Sequence, residues 1–279
     1  MNVIGLGSAG CNIADKLSGY PQYTIHKIDV GLKKGKGNHP LTKRSSTEQY
    51  EEKFPKKVFS DLQKIEGDAL FIVGGGGSVS SASLRILEAL KGNRTEVIYV
   101  RPDTSFMNEA GVMLDRAVFN ILQEYARSGI LEKLYIVSNS EIERVVGDLP
   151  VSKYHDKINE IIASTIHMVN VYRNSETPLS NIAEGAGVSR ISTIGVGTME
   201  KVIDQMFFSL DHTSEKVYYF AINKKQMEED NQLLFSIKNR IRQDDSTTKT
   251  SFGVFPSLYD ENYIYIVAST KIIQGVEYE

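Results

Sequence analysis

At 279 residues, 41% of them hydrophobic and 24% charged, the chain can bury one large or two modest cores and has an ordinary folded composition, not a disordered one. Thirty-two Lys and Arg against 35 Asp and Glu leave a net charge of −3, which excludes a protein devoted to neutralising a nucleic-acid backbone. A single cysteine, Cys11, excludes an internal disulfide and sets the expectation of a reducing cytoplasm; no apolar run approaches the ~20 residues of a membrane helix.

Residues 2–6 form a short apolar run that ends in Gly5-Leu6-Gly7-Ser8-Ala9-Gly10, and residues 11–17 then read as a helix. A strand at 23–28 leads to Asp29. Residues 31–44, rich in Lys and Gly and without apolar period, read as a mobile basic loop, and 48–65 as a helix despite Pro55. The strand at 69–73 is stopped by Gly74 to Gly77, after which a serine-rich segment becomes helical through Leu90. Strands at 96–100 and 134–137 flank a helix at 112–125, where Val112, Leu114, Ala117, Ile121 and Leu122 share one side. Strands alternating with helices predict a doubly wound parallel sheet of Rossmann type.

Residues 156–172 carry Ile158, Ile161, Ile162, Ile166 and Val169 on one stripe and predict a long connecting helix. Beyond it the pattern changes: strands at 192–196, 217–222, 251–255 and 263–269, with helices at 199–210 and 227–242. The predicted class is therefore α/β: a Rossmann-like nucleotide-binding domain over 1–153, a connecting helix and loop over 154–184, and a smaller α+β domain over 185–279.

A strand that feeds Gly-x-Gly-x-x-Gly into a helix offers free backbone N–H groups and a positive dipole end to phosphates. Asp29, at the end of the next strand, stands where a dinucleotide-binding unit keeps its ribose acid, so an NAD-dependent oxidoreductase is one reading. It leaves unexplained a second glycine turn, Gly75-Gly76-Gly77-Ser78-Val79-Ser80-Ser81. Two such turns suit one mononucleotide held from two sides, unless the glycines serve only close packing. No Walker lysine motif, hydrolase elbow or metal-ligand spacing is present; His26, His39, His155, His167 and His212 are scattered.

The order of these pieces resembles the tubulin and FtsZ superfamily, including its phage and plasmid members, over nearly the whole chain. Gly7, Ser8, Ala9, Gly10 and Asn12 resemble its first nucleotide loop, and Gly75, Gly76, Gly77, Ser78 and Val79 its Gly-Gly-Gly-Thr-Gly-Ser/Thr-Gly signature. Residues 101–111, with Pro102 and Asn108, resemble the ribose-side loop. Asn139, ending Ile136-Val137-Ser138-Asn139, resembles the guanine reader. Asn159 falls where the family sets a second amide or acid against the base, and His155, with Tyr154 as alternative, where a ring stacks on it. An amide can pair with the guanine edge; helix capping for Asn139 and a solvated face for Asn159 are the plain alternatives.

The resemblance implies GTP or GDP as ligand, Mg as a candidate companion, and head-to-tail self-association into filaments, with no membrane or direct nucleic-acid partner. It also has departures. Val79 and Ser81 replace signature glycines, and Asn38-His39-Pro40-Leu41-Thr42-Lys43-Arg44 stands where relatives have a glycine-rich γ-phosphate loop. The acidic Asn-x-Asp-x-x-Asp motif, which in the family completes a neighbour's site, reads here Glu176-Thr177-Pro178-Leu179-Ser180-Asn181. By that register Pro178 and Asn181 replace the acids, so hydrolysis is expected to be weak unless Glu176 or Glu184 substitutes. A third reading is an interaction module of this shape that binds no nucleotide.

Overall fold

Val3, Ile4 and Leu6 are solvent-free because their strand, β1 (Asn2–Leu6), lies between two parallel neighbours, β2 (Thr24–Val30) and β4 (Ala69–Gly74), with helices over both faces. Strands buried on two faces need continuous apolar runs, which is the pattern of β4, Ala-Leu-Phe-Ile-Val-Gly. The computed structural model describes residues 1–182, 189–200, 203–242 and 247–275. Within these, β3 (Asn38–Leu41), β2, β1, β4, β5 (Thr95–Arg101) and β6 (Lys133–Ser138) form a parallel half-sheet in the order β3-β2-β1-β4-β5-β6.

One face packs on α1 (Gly7–Leu17) and α7 (Tyr154–Arg173) through Ile13, Leu17, Ile158, Ile162 and Ile166. The opposite face carries α3 (Lys56–Leu62), α4 (Ser83–Ala89) and α5 (Glu109–Arg127), led by Leu62, Ile86, Phe119 and Leu122.

The sheet does not stop at β6. It continues through β8 (Ile191–Gly197), β12 (Tyr263–Thr270), β10 (Glu215–Asn223), β11 (Lys249–Ser257) and β7 (Leu179–Ser180), with β9 (Gln205–Met206) beside β8. The seam between halves is narrow, since β6 and β8 pair only at Leu134↔Ile191 and Tyr135↔Ser192. Beyond it the pairing becomes mostly antiparallel. Tyr218, Phe220 and Ile222 of β10 form a third apolar cluster with Leu233 and Ile237 of α9 (Leu233–Arg242). No helix among the described residues is long and apolar enough to cross a membrane.

Several elements differ from the sequence reading. The basic segment at 31–44 contains β3, parallel to β2 with Ile28↔His39 in register. It is anchored because Leu41 is buried and the His39 ring stacks on His26 at 5.8 Å, where burial holds both imidazoles below their usual pKa. Pro55 divides the 48–65 helix into α2 (Glu48–Glu52) and α3, as its missing N–H and fixed φ require. The expected helix at 199–210 is absent from the described part of that span. There β9 pairs with Gly195 and Val196, and the buried Phe207 donates its N–H to Ile194 O at 2.9 Å and accepts from Ser138 N at 2.7 Å. The expected 227–242 helix is two, α8 (Lys224–Glu229) and α9.

Candidate functional site

Parallel strands end together, so β1, β4, β5 and β6 deliver Gly7, Gly75, Pro102 and Asn139 to one edge of the sheet; in register, Leu6 pairs with Val73, Val100 with Val137 and Arg101 with Ser138. At the first turn α1 begins at Gly7 itself, whose φ of +70° favours glycine. Leu6, the residue before it, makes no side-chain cap, which leaves the opening N–H groups of Gly7, Ser8 and Ala9 for other acceptors. Gly5 and Gly10 seat the helix: a Cβ on Gly10 would lie 2.3 Å from Ile72 O. Cys11 Sγ, donating toward Gly5 O at 3.4 Å, is buried, and desolvation pushes its thiol up to about 12. Ser8 Oγ donates to Asp29 Oδ2 at 3.3 Å, and Asp29 Oδ1 accepts from Val30 N at 2.7 Å, so the acid is tied to the turn. Asn12 is exposed one helical turn on.

The second turn closes on its own hydroxyls. After Gly77 the chain makes a short 3-10 helix, Ser78–Ala82, that runs into α4. Ser80 Oγ donates to Gly77 O at 2.6 Å, and Ser81 Oγ to Thr47 O at 2.5 Å, tying the turn to the segment before α2. Ser81 thus replaces a glycine of the resembled signature with a clasp. Gly77 and Ser78 are exposed. Val79 packs on the core and leans on the first turn, for a Cβ at Gly7 would fall 2.8 Å from Val79 Cγ2. The turns therefore touch through that valine, which narrows the space between them.

Beneath Gly75 lies a buried polar network that the sequence reading missed. Asp115, fully buried, accepts from Tyr99 Oη at 2.7 Å and pairs with Arg101 at 3.1 Å, and the Arg101 guanidinium lies over the Phe119 ring at 4.7 Å. The available signal was a lone carboxylate on the apolar stripe of α5, three residues past Val112 and four before Phe119. Pro102 supports Gly75 from the same side, and Met107 folds its methyl over Gly76, whose φ is +72°. Asn108 caps α5, its Oδ1 accepting from Gly111 N at 2.9 Å, so that carbonyl is already engaged.

At the end of β6 the capping alternative for Asn139 is not realised. It is the first residue of α6 (Asn139–Val146), and its Oδ1 is buried with no hydrogen-bond partner. Such an orphan acceptor costs about 1–3 kcal/mol unless a ligand or water supplies a donor. Asn159, on α7, is 6% exposed and so not on a solvated face. His155 is exposed, whereas Tyr154 is half-buried with its hydroxyl donating to Glu143 at 3.1 Å. Burial first, and then the Glu143 carboxylate, push that phenol up to about 12. Asp156 joins α7 to α1 through Lys16 at 2.7 Å.

No protein-family model and no curated protein matches the chain. Solved structures do. An FtsZ dimer, empty, from M. jannaschii superposes with a TM-score of 0.72 at 12% identity, covering 96% of this chain and 87% of that one. The TubZ-Bt four-stranded filament gives 0.74 at 14% identity, covering 96% and 85%. A GTPγS-bound protofilament of CetZ2 from Haloferax volcanii gives 0.72 at 15% identity, covering 96% and 92%. The chain has the tubulin/FtsZ-like fold.

In this tubulin/FtsZ-like chain two of the expected catalytic residues, Glu176 and Asn181, lie in the segment that follows α7. Glu176 is exposed and Asn181 directly follows β7, at the end of the sheet opposite to β3. Asn181 Oδ1 accepts from Phe252 N at 2.7 Å while its own N–H donates to Phe252 O at 3.0 Å, so it extends the β7–β11 pairing. Glu184 lies outside the described residues.

Proposed function

We propose that this tubulin/FtsZ-like chain binds a guanine nucleotide across the ends of β1, β4, β5 and β6, phosphates against the two turns and base toward Asn139 and Asn159. Copies stack head to tail, and GTP is turned over slowly. The observation that carries this reading is the partnerless Oδ1 of Asn139 at the strand edge that also bears the uncapped start of α1. An acceptor there suits the N1–H and N2–H donors of guanine. A magnesium ion at this site would take most of its ligands from phosphate and water. The filaments and protofilaments among the similar structures support self-association. An amide at 181 and a proline at 178 cannot act as a general base, a loss worth ~10²–10⁴ in rate.

The test pairs labelled-nucleotide binding with pelleting and electron microscopy. Wild type is expected to prefer GTP and GDP over ATP and NAD; Asn139→Leu, which removes the acceptor for N1–H and N2–H, is expected to reduce that preference by about tenfold or more. Equal affinity for all nucleotides, or unchanged selectivity in the variant, removes Asn139 from a base site. One observation favours a second reading, a module that binds no nucleotide: Val79 occupies room between the turns. Absence of binding by any of the four ligands would select it.

A further inference from the structure

A cavity of about 660 Å³ opens between α6, α9 and strands β8, β9, β10 and β12. Thr193, Ala268 and Lys216 are cross-strand neighbours on its floor. Their sequence neighbours Ile194, Val267 and Val217 point to the α7 side, so the cavity lies on the other face of the sheet. At its base two cations share one carboxylate. Asp204 accepts from Lys216 Nζ at 3.0 Å, from Tyr218 Oη at 2.8 Å and from Arg240 Nη2. Arg240 is only 4% exposed, and its Nε is buried without a hydrogen-bond partner. Val145, Met206, Phe208 and Leu210 supply apolar wall, and at the rim Glu141 and Arg144 pair with each other at 3.0 Å.

A guanidinium has five N–H donors in a fixed fork, and a desolvated cation with donors to spare is costly unless acceptors reach it. Asp204 is already divided among three donors. We propose that this cavity binds a small organic oxyanion, a carboxylate or phosphate ester, whose charged end engages Arg240 beside Lys216 and whose body fills the apolar remainder. The volume falls within the range of small-molecule sites and exceeds what a bare inorganic anion fills. The proposal is independent of the nucleotide site.

The test uses the full chain carrying ¹³C-methyl methionine, titrated at constant ionic strength with citrate, with 3-phosphoglycerate and with glycerol as neutral control. A saturable shift of the Met206 methyl by either anion, and none by glycerol, is the expected result; which anion acts distinguishes carboxylate from phosphate chemistry. Ala268→Leu, which fills the cavity and leaves every charge in place, is expected to weaken binding by about tenfold, and Arg240→Gln by at least as much. Arg240→Gln tests the site only if its melting curve shows a folded protein, and Ala268→Leu covers the other case. No Met206 shift with either anion, or a shift of equal affinity in the Ala268→Leu protein, overturns the proposal.

Discussion

At the first glycine turn, a Cβ placed on Gly5 or Gly10 would strike backbone, 2.4 Å from Gly10 O and 2.3 Å from Ile72 O. At the second, what stands nearest Gly75 and Gly76 is side chain: Asp115 Oδ1 and the Met107 methyl, each 2.0 Å from the added carbon. The two follow the same strand-to-helix route and differ in what holds them. Backbone packed on backbone has no rotamer to yield, so at Gly5 and Gly10 the geometry of the first turn is set by the main chain of β1, β4 and α1. The second rests on a network that contributes its own electrostatics and can be altered one side chain at a time.

The largest effect is expected where that distinction is sharpest. Gly10→Ala should cost about 3–4 kcal/mol, because helix α1 must move off β4; denaturant unfolding measures it, and a near-neutral result would mean the backbone can relax there after all. Arg101→Met should cost about 3 kcal/mol, the low end for breaking a buried pair, since Tyr99 still donates to Asp115. A smaller loss would show that the second turn does not depend on its network. Val79→Gly removes the side chain that leans on Gly7 and should tighten nucleotide binding by about tenfold, or 1.4 kcal/mol, read by fluorescence titration. Unchanged affinity would place the valine outside the path of the phosphates. Smallest of all, Gly77→Ala should lie within about 0.5 kcal/mol of wild type in stability, for its φ is −76° and no atom lies within 4 Å of the added carbon.

The parallel half of the sheet was legible because its signals are local. Apolar runs of strand length ended by glycine mark β1 and β4, and the stripe of Ile158, Ile162 and Ile166 marks α7. The 199–210 segment was misread because Phe207 and its neighbours mimic helical spacing, while their partners, Ile194 and Ser138, are distant in sequence. Strand β3 was hidden for a related reason: besides Leu41, its anchor is one half-buried imidazole stacked on another, which no hydropathy pattern reports. At the candidate site the glycines and Asn139 could be named from sequence. The Tyr99–Arg101–Asp115 network could not, since its members meet only once β5 and α5 are packed. The cavity at Arg240 was equally invisible, as Asp204, Lys216 and Arg240 are separated by 12 to 36 positions and carry no motif.

The chain's one thiol sits behind the first turn, screened from solvent and held protonated far above neutral pH. A maleimide or iodoacetamide reagent reacts with thiolate, and Cys11 offers almost none. Any cysteine introduced at the surface would therefore be the sole point of attachment for a dye, spin label or crosslinker, with the native residue left in place. Distances between successive copies in an assembly could then be measured from single substitutions.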